Sequence, residues 1–348
     1  METGRIPLNM KLGIGIVGSG AIAKVHAACI HAQPNTYLAG ILTRNQKNAA
    51  SIGAEFDTVV FTNPKEFYKQ ADLDIVCICN ESGRHGESIT EAIQANKHIL
   101  CEKPLETSRS KIDLIFDQLK KTSLKLGVVF QNRLNPAYKE FKSAIESGKL
   151  GTILLVNTQI NWYRDANYYQ SNAWRGTLKL DGGAALINQG IHTLDLLLDL
   201  MGDVDQVGAK IDTKVHDIEG EDLVVAHLTF KKGSLGTLSA GTCLYPGHPE
   251  SIAVYGTKGS MVFEGGSIQS CSLPDWKSNA KTNSNQGSKT AKVNSIELHQ
   301  AVLNDFIHAV LEDRQPLVNI DTARKSVELI QTIYQASNTN QIIKLEQS

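Results

Sequence analysis

Two stretches of this chain carry side chains that could hold and move a proton. The first is Cys101-Glu102-Lys103-Pro104, which closes the apolar run His98-Ile99-Leu100-Cys101, a short buried strand by its composition. Ligands of an open α/β sheet bind outside the carboxyl ends of the strands, so a lysine there can meet one. Pro104 has no N–H and a fixed φ, which suits a rigid turn rather than more strand. A solvated Glu-Lys pair at an ordinary strand end is the plainer reading of the same residues. The second stretch runs from Asp181-Gly182-Gly183 to Asp195. Leu194, Leu197, Leu198 and Met201 continue it with helical spacing. Asn188 and His192 are separated by one helical turn, and Asp195 follows at i+3, so the spacing predicts all three on one face. A polar stripe on an apolar helix needs partners or a cavity. A core histidine capped by Asp195 would satisfy that, and so would a site. Together Lys103 and His192 offer a charge stabiliser and a proton acceptor for one oxygen atom, with neutral Asn188 to position a hydroxyl. They belong to different halves of the chain, so they can meet only across a crevice between domains.

The elements that position Lys103 begin at residue 12. The β-type run 12–17 ends in Gly18-Ser19-Gly20-Ala21-Ile22-Ala23, a G-x-G-x-x-A fingerprint, and a helical stretch follows to about His31. Gly18 permits the tight turn, Gly20 lets backbone approach a pyrophosphate, and Ala23 lets helix and strand pack closely. The helix N-terminus, opening at Ala21 and Ile22, supplies free N–H groups for phosphates. Strand and helix patterns then alternate: strands at 37–42, 58–61, 74–79, 98–101 and 124–130, helices at 45–54, 64–70, 84–95 and 108–122. That alternation predicts a parallel, doubly wound sheet. An acid commonly ends strand two and selects NAD by binding the ribose hydroxyls. Here Thr43-Arg44-Asn45 stands there instead, which favours NADP slightly over NAD, although Arg44 could equally stack on the adenine. Asn80, after strand four, is placed for the nicotinamide ribose. His85 is counted with the cofactor residues of the same crevice, more for capping or orienting the next helix than for catalysis.

From Gln131 the pattern changes. A helix at 136–147 is followed by alternating strands at 153–163, 204–215, 223–230, 235–243, 251–255 and 260–263, with hairpin turns at Lys232-Gly233 and Lys258-Gly259. This predicts an α+β domain with an open, mostly antiparallel sheet. Helices are predicted at 298–311 and 321–336, the last packing back on the first domain, and the polar stretch 278–292 as an exposed loop. The domains expected are 1–130, binding the dinucleotide, and 131–348, binding substrate and mediating oligomers. Asn161-Trp162-Tyr163-Arg164, Tyr168-Tyr169 and Trp174-Arg175 combine rings, which cover sugar C–H faces, with polar groups that bind hydroxyls. Ordinary strand or interface aromatics are the alternative.

Composition narrows the function classes. Net charge is −1 and no basic tract occurs, which argues against a nucleic-acid surface. Residues 1–10 lack the apolar core of a signal peptide, and no apolar run is long enough for a membrane span. The six cysteines lack zinc spacing and read as buried free thiols, so no metal and a cytoplasmic home are expected.

Taken together, these motifs resemble the glucose–fructose oxidoreductase, inositol dehydrogenase and rhizopine-catabolism (Gfo/Idh/MocA) family along the whole chain. The fingerprint at 18–23, Glu102-Lys103-Pro104, Phe130-Gln131-Asn132-Arg133, the Asp181-Gly182-Gly183 turn and the Asn188–His192–Asp195 helix carry the likeness. The resemblance implies a Rossmann domain, a C-terminal open-sheet domain forming homodimers or homotetramers, and NAD(P)-dependent oxidation or reduction of a sugar, cyclitol or sugar derivative. It maps the family lysine onto Lys103 and the histidine onto His192. It adds Ser19, Glu102 and Gln131 to the cofactor residues, and Arg133 to a substrate wall of Trp162, Tyr163, Arg164, Trp174, Arg175 and Asn188. Many inositol-type members have Asp where this chain has Asn188, which weakens a two-acid relay. A nucleotide-sugar reductase and a non-catalytic ligand sensor would share these motifs.

Overall fold

The computed structural model describes residues 11–274, 276 and 296–345. The N-terminal stretch 1–10 and the loop expected at 278–292 lie outside them. The chain forms two compact units. One comprises the described residues up to Gln131 and from Ile296 to Arg324, the other those from Asn132 to 276 and from Lys325 onward.

The first unit runs β1 (Leu12–Val17), α1 (Ala21–Ala32), β2 (Thr36–Leu42), α2 (Ala49–Phe56), β3 (Val60–Phe61), α3 (Pro64–Tyr68), β4 (Ile75–Ile78), α4 (His85–Gln94), β5 (His98–Cys101), α5 (Arg109–Leu119) and β6 (Leu126–Val128). The strands lie parallel in the order β3-β2-β1-β4-β5-β6, with the switch in direction between β1 and β4. β1 and β4 are buried along their whole length because helices cover both faces, so they read as continuous apolar runs. The ends of β1, β2, β4 and β5 therefore present their loops along one edge, where such sheets bind ligands.

A further helix, α9 (Ile296–Leu311), packs on this unit. Leu303, Phe306 and Ile307 join the core formed by Ile14, Ile16, Ala27, Ile30 and Leu100. A second domain running unbroken from residue 131 does not describe this: the helix that returns is chiefly α9. The later helix, α10 (Ile320–Thr339), starts in the first unit and continues in the second.

The second unit contains α6 (Pro136–Glu146), β7 (Ile153–Asn161), α7 (Ala166–Gln170), α8 (Ile191–Met201) and β8 (Val204–Asp212). They are followed by β9 (Leu223–Phe230), β10 (Leu235–Gly241), β11 (Ser251–Gly256), β12 (Ser260–Glu264), β13 (Ser267–Cys271) and, near the end, β14 (Ile343–Lys344). Their order is β13-β12-β11-β7-β10-β9-β8-β14; among the described residues β7–β10 pair parallel and the other neighbours antiparallel. The short strands β13 and β14 escape a reading by alternation. One sheet face is buried through Val156, Leu228, Leu238, Ala240 and Val254; α8 packs on β7 and β11, the turn at Ala185–Gly190 on β9 and β10, and α6 on β12 and β13. Leu235 and Val225 remain more than half exposed.

Candidate active site

The turn after β1 has the geometry that its glycines require. Gly18 has φ +107°, and a Cβ there would sit 2.7 Å from the Cys79 carbonyl oxygen and 2.9 Å from the Asn80 amide nitrogen. Only glycine allows this close passage between β1 and β4. A Cβ on Gly20 would meet open space. Gly20 is the N-cap of α1 and offers no side chain to its first N–H groups, whereas Ser108 caps α5 and Asn135 caps α6. The first turn of α1 thus keeps donors for an anion. Beside it, Ser19 Oγ and Thr43 Oγ1 lie 3.2 Å apart, and Thr43 Oγ1 also accepts from the Asn45 amide. Asn80 Nδ2 donates to Ser88 Oγ, while the buried Asn80 Oδ1 and Gln131 Oε1 have no hydrogen-bond partner among the described residues. These features fit a dinucleotide. Residues 18–22 would take the pyrophosphate, Thr43 and Arg44 would lie towards the adenosine end, and Asn80 towards the nicotinamide end.

Arg44 differs from its expected state. Its Nη2 donates to both oxygens of Glu81, at 2.7 and 2.8 Å, so the guanidinium already holds a carboxylate. Strand two ends without an acid, yet Glu81, from the loop after β4, supplies one to the same corner.

The loop after β5 is braced from beneath. Glu102 is buried. One of its oxygens lies 2.9 Å from His26 Nε2 and 3.9 Å from His299 Nε2, and the other accepts the Lys103 amide at 3.2 Å. Burial alone would raise the Glu102 carboxyl. The hydrogen bond and charge from His26, with His299 and Lys103, outweigh it and hold the pKa at about 2. Glu102 is therefore a support for Lys103 rather than a direct cofactor ligand. Glu106, also buried, accepts from the Gly86 and Thr107 amides and from Lys111 Nζ. His85 is buried too. Its Nδ1 lies 2.7 Å from the Pro104 carbonyl oxygen and its Nε2 3.2 Å from that of Asn80, and burial lowers its pKa. It ties the β4 and β5 loops together. Lys103 itself is half-buried at the end of β5, after a support of two buried acids and three histidines.

In the second unit, the helix bearing His192 does not start as a regular α-helix. Residues Ala185–Gly190 form a π-helical turn that runs into α8. Asn188 lies in this wider turn, while His192 and Asp195 lie in the regular helix that follows, so the α-helical spacing assumed from Asn188 to His192 does not apply through the turn. Such turns are rare and frequent at functional sites. The buried carboxylate of Glu221 caps this turn, accepting from the Ala184 and Leu186 amides and from Tyr334 Oη. Gly183, φ +144°, leaves room for Glu221 and Tyr334, since a Cβ would lie 2.9 Å from Glu221 Oε2. Asn188 Nδ2 donates to Asp181 Oδ1 at 2.6 Å, and its Oδ1 accepts from Gln189. Asp195 does not cap His192. It is buried and pairs with Arg133, whose Nε and Nη2 reach its two oxygens at 2.7 and 2.8 Å, while Nη1 binds Asp199. Arg133 thereby clamps α8.

The aromatic wall forms one network. Arg164 is buried and donates to Gln189 Oε1 through Nε and Nη2 and to the Tyr163 carbonyl through Nη1. It lies over the rings of Trp162 and Tyr168, and Arg175 lies over Tyr168 and Trp174. Gln189 Nε2 donates to Tyr168 Oη. Through Gln189, the wall connects directly to Asn188. Gln189, Asp181 and Glu221 were missed in the sequence. Gln189 and Asp181 sit in the same motif as Asn188, but nothing local marks Glu221.

The NAD-binding Rossmann-fold model of the Gfo/Idh/MocA oxidoreductase family matches residues 12–130, and the family's C-terminal alpha/beta domain model matches 142–345. The chain belongs to this family and is an NAD(P)-dependent oxidoreductase. It is 26% identical to myo-inositol 2-dehydrogenase of Thermotoga maritima, over 71% of this chain and 74% of that one. It is 25% identical to levoglucosan dehydrogenase of Pseudarthrobacter phenanthrenivorans, over 72% and 73%. The WlbA dehydrogenase of Bordetella pertussis, solved in complex with NADH and UDP-GlcNAcA, superposes with TM-score 0.87 at 26% identity, covering 98% of this chain and 99% of that one. Among the described residues no helix is long and apolar enough to cross a membrane, and no cluster of His, Cys, Asp or Glu could hold a metal.

Proposed function

We propose that this protein interconverts a secondary alcohol and a ketone on a sugar, cyclitol or sugar derivative, with Lys103 and His192 serving one reacting oxygen. The observation that carries the reading is the support built under Lys103: Glu102, fixed by His26, anchors the lysine's own amide at the carboxyl end of β5. A solvated Lys-Glu pair needs no such buried scaffold. The nicotinamide cofactor, when bound, accepts or supplies the hydride. His192 takes the hydroxyl proton in oxidation and returns it in reduction. Lys103 donates to the same oxygen and stabilises charge that develops on it. Asn188, oriented by Asp181 and Gln189, positions a neighbouring hydroxyl.

For the cofactor, the Arg44–Glu81 pair favours NAD. A 2′-phosphate would have to displace or face the Glu81 carboxylate. This reverses the slight preference for NADP drawn from Thr43-Arg44-Asn45. Assembly through the open sheet face and a cytoplasmic location complete the reading. A nucleotide-linked sugar is a second substrate class, favoured by the likeness to WlbA, whose complex holds UDP-GlcNAcA. The deciding experiment is a dehydrogenase screen of sugars, cyclitols and nucleotide sugars with NAD and NADP. Cofactor reduction by one class, lost in Lys103→Met with NADH binding retained, supports the proposal. NADH binding without turnover of any class would leave a ligand sensor.

A further inference from the structure

Arg175 stands apart from the other half-buried or buried arginines of the second unit. Its guanidinium carbon lies 4.1 Å from the Tyr168 ring centroid and 5.6 Å from that of Trp174. Its Nε is buried and, among the described residues, has no hydrogen-bond partner. Arg133, by contrast, is paired with Asp195 and Asp199. Arg164 also lies against the Tyr168 ring, 5.4 Å from its centroid, and donates to Gln189 Oε1 and the Tyr163 carbonyl. Two guanidiniums thus share one ring, and burial with the charge of Arg175 lowers the Arg164 pKa. The neighbouring acid, Asp181, accepts from the Gly176 amide and from Asn188 Nδ2. A desolvated donor left unpaired costs free energy, and adjacent like charges add to it. A protein built this way is stabilised when an anion arrives.

We propose that Arg175, with Arg164 beside it, is a subsite for an anionic group on the substrate, a carboxylate or a phosphate. This rests on the sugar-oxidoreductase reading and names the substrate class within it. The subsite adjoins Asn188 through Gln189, so the anion and the reacting carbinol belong to one small molecule. Guanidinium is suited to both anions because its planar donors bind two oxygens together. Tyr168 and Trp174 hold the guanidinium plane and cover the sugar ring next to it.

The test measures binding and turnover separately. Quenching of tryptophan fluorescence in the NADH-loaded protein is titrated with D-glucose, D-glucuronate and D-glucose 6-phosphate, alongside NAD reduction by each. One additional charge-assisted hydrogen bond predicts about 10- to 100-fold tighter binding of an anionic sugar than of glucose. The better of the two anions identifies the source. Arg175→Gln should abolish that preference, weakening the two anions about 10-fold or more beyond any loss for glucose, and Arg175→Lys should restore part of it. Equal binding of the three sugars by the unaltered protein, or equal loss for all three in Arg175→Gln, overturns the proposal. If neutral polyols reduce NAD while the anions bind no better, the subsite fails and the oxidoreductase reading stands. If NADH itself does not bind, that underlying reading fails.

Discussion

Glu81 and Glu102 show how much a single carboxylate decides here. Glu81 holds Arg44 at the corner where an acid at the end of strand two would stand. Replacing Glu81 with Gln should free the guanidinium and raise NADP affinity relative to NAD by about 10-fold or more, one charge-assisted hydrogen bond. Isothermal titration with both cofactors checks this, and unchanged ratios would separate Arg44 from cofactor choice. Glu102 makes a stability prediction. Its folded pKa of about 2 lies below the ordinary value near 4.5, so its contribution is present above pH 4.5 and is lost as pH falls towards 2. Burial would lower the His26 pKa, yet Cys79, Cys77 and Glu102 hold it well above its usual value. Its contribution is therefore complete below pH 6.5 and fades as pH rises through its folded pKa. His26→Leu leaves Glu102 buried without its closest partner and should cost about 3–5 kcal/mol in urea unfolding at about pH 6. The loss should shrink in acid as Glu102 protonates.

At the scale of elements, the π-helical turn at Ala185–Gly190 depends on Glu221. Glu221→Ala removes the acceptor for two backbone amides and Tyr334, so it should destabilise by about 1–3 kcal/mol and lower turnover, because Asn188 and His192 lose their orientation. Tyr334→Phe, which removes one donor and leaves both amides satisfied, should cost less. A Glu221→Ala protein with normal stability and turnover would show that the turn holds without its cap. The β1–α1 turn was legible in the sequence because glycine, glycine and alanine at fixed offsets answer local steric demands. The alternating strands were legible from burial on both faces. Glu221 was not, since it reaches the turn from a loop far along the chain. The Arg133–Asp195 pair was not legible for the same reason: its partners are far apart in the sequence, and the spacing alone offered Asp195 as a cap for His192. The turn at Ala185–Gly190 also defeats periodicity, because an i+5 turn inserts a residue that α-helical spacing cannot register.

On the scale of the whole molecule, each unit brings one member of the proposed catalytic pair. The second unit also leaves Val225 and Leu235 exposed on the open sheet. Assembly through that face predicts that Val225→Lys with Leu235→Lys shifts the protein to smaller species in sedimentation while its melting temperature changes little. An unchanged distribution would place any interface elsewhere. The central claim is that Lys103 and His192 act on one oxygen. Single-turnover hydride transfer with the substrate found in the screen should therefore be measured for Lys103→Met, His192→Ala and the double variant. Loss of the base alone should cost about 10²–10⁴-fold. Residues acting as a unit are strongly non-additive, so the double variant should be scarcely slower than the worse single one. Multiplying losses, or near-normal hydride transfer in His192→Ala, would contradict the shared-oxygen mechanism.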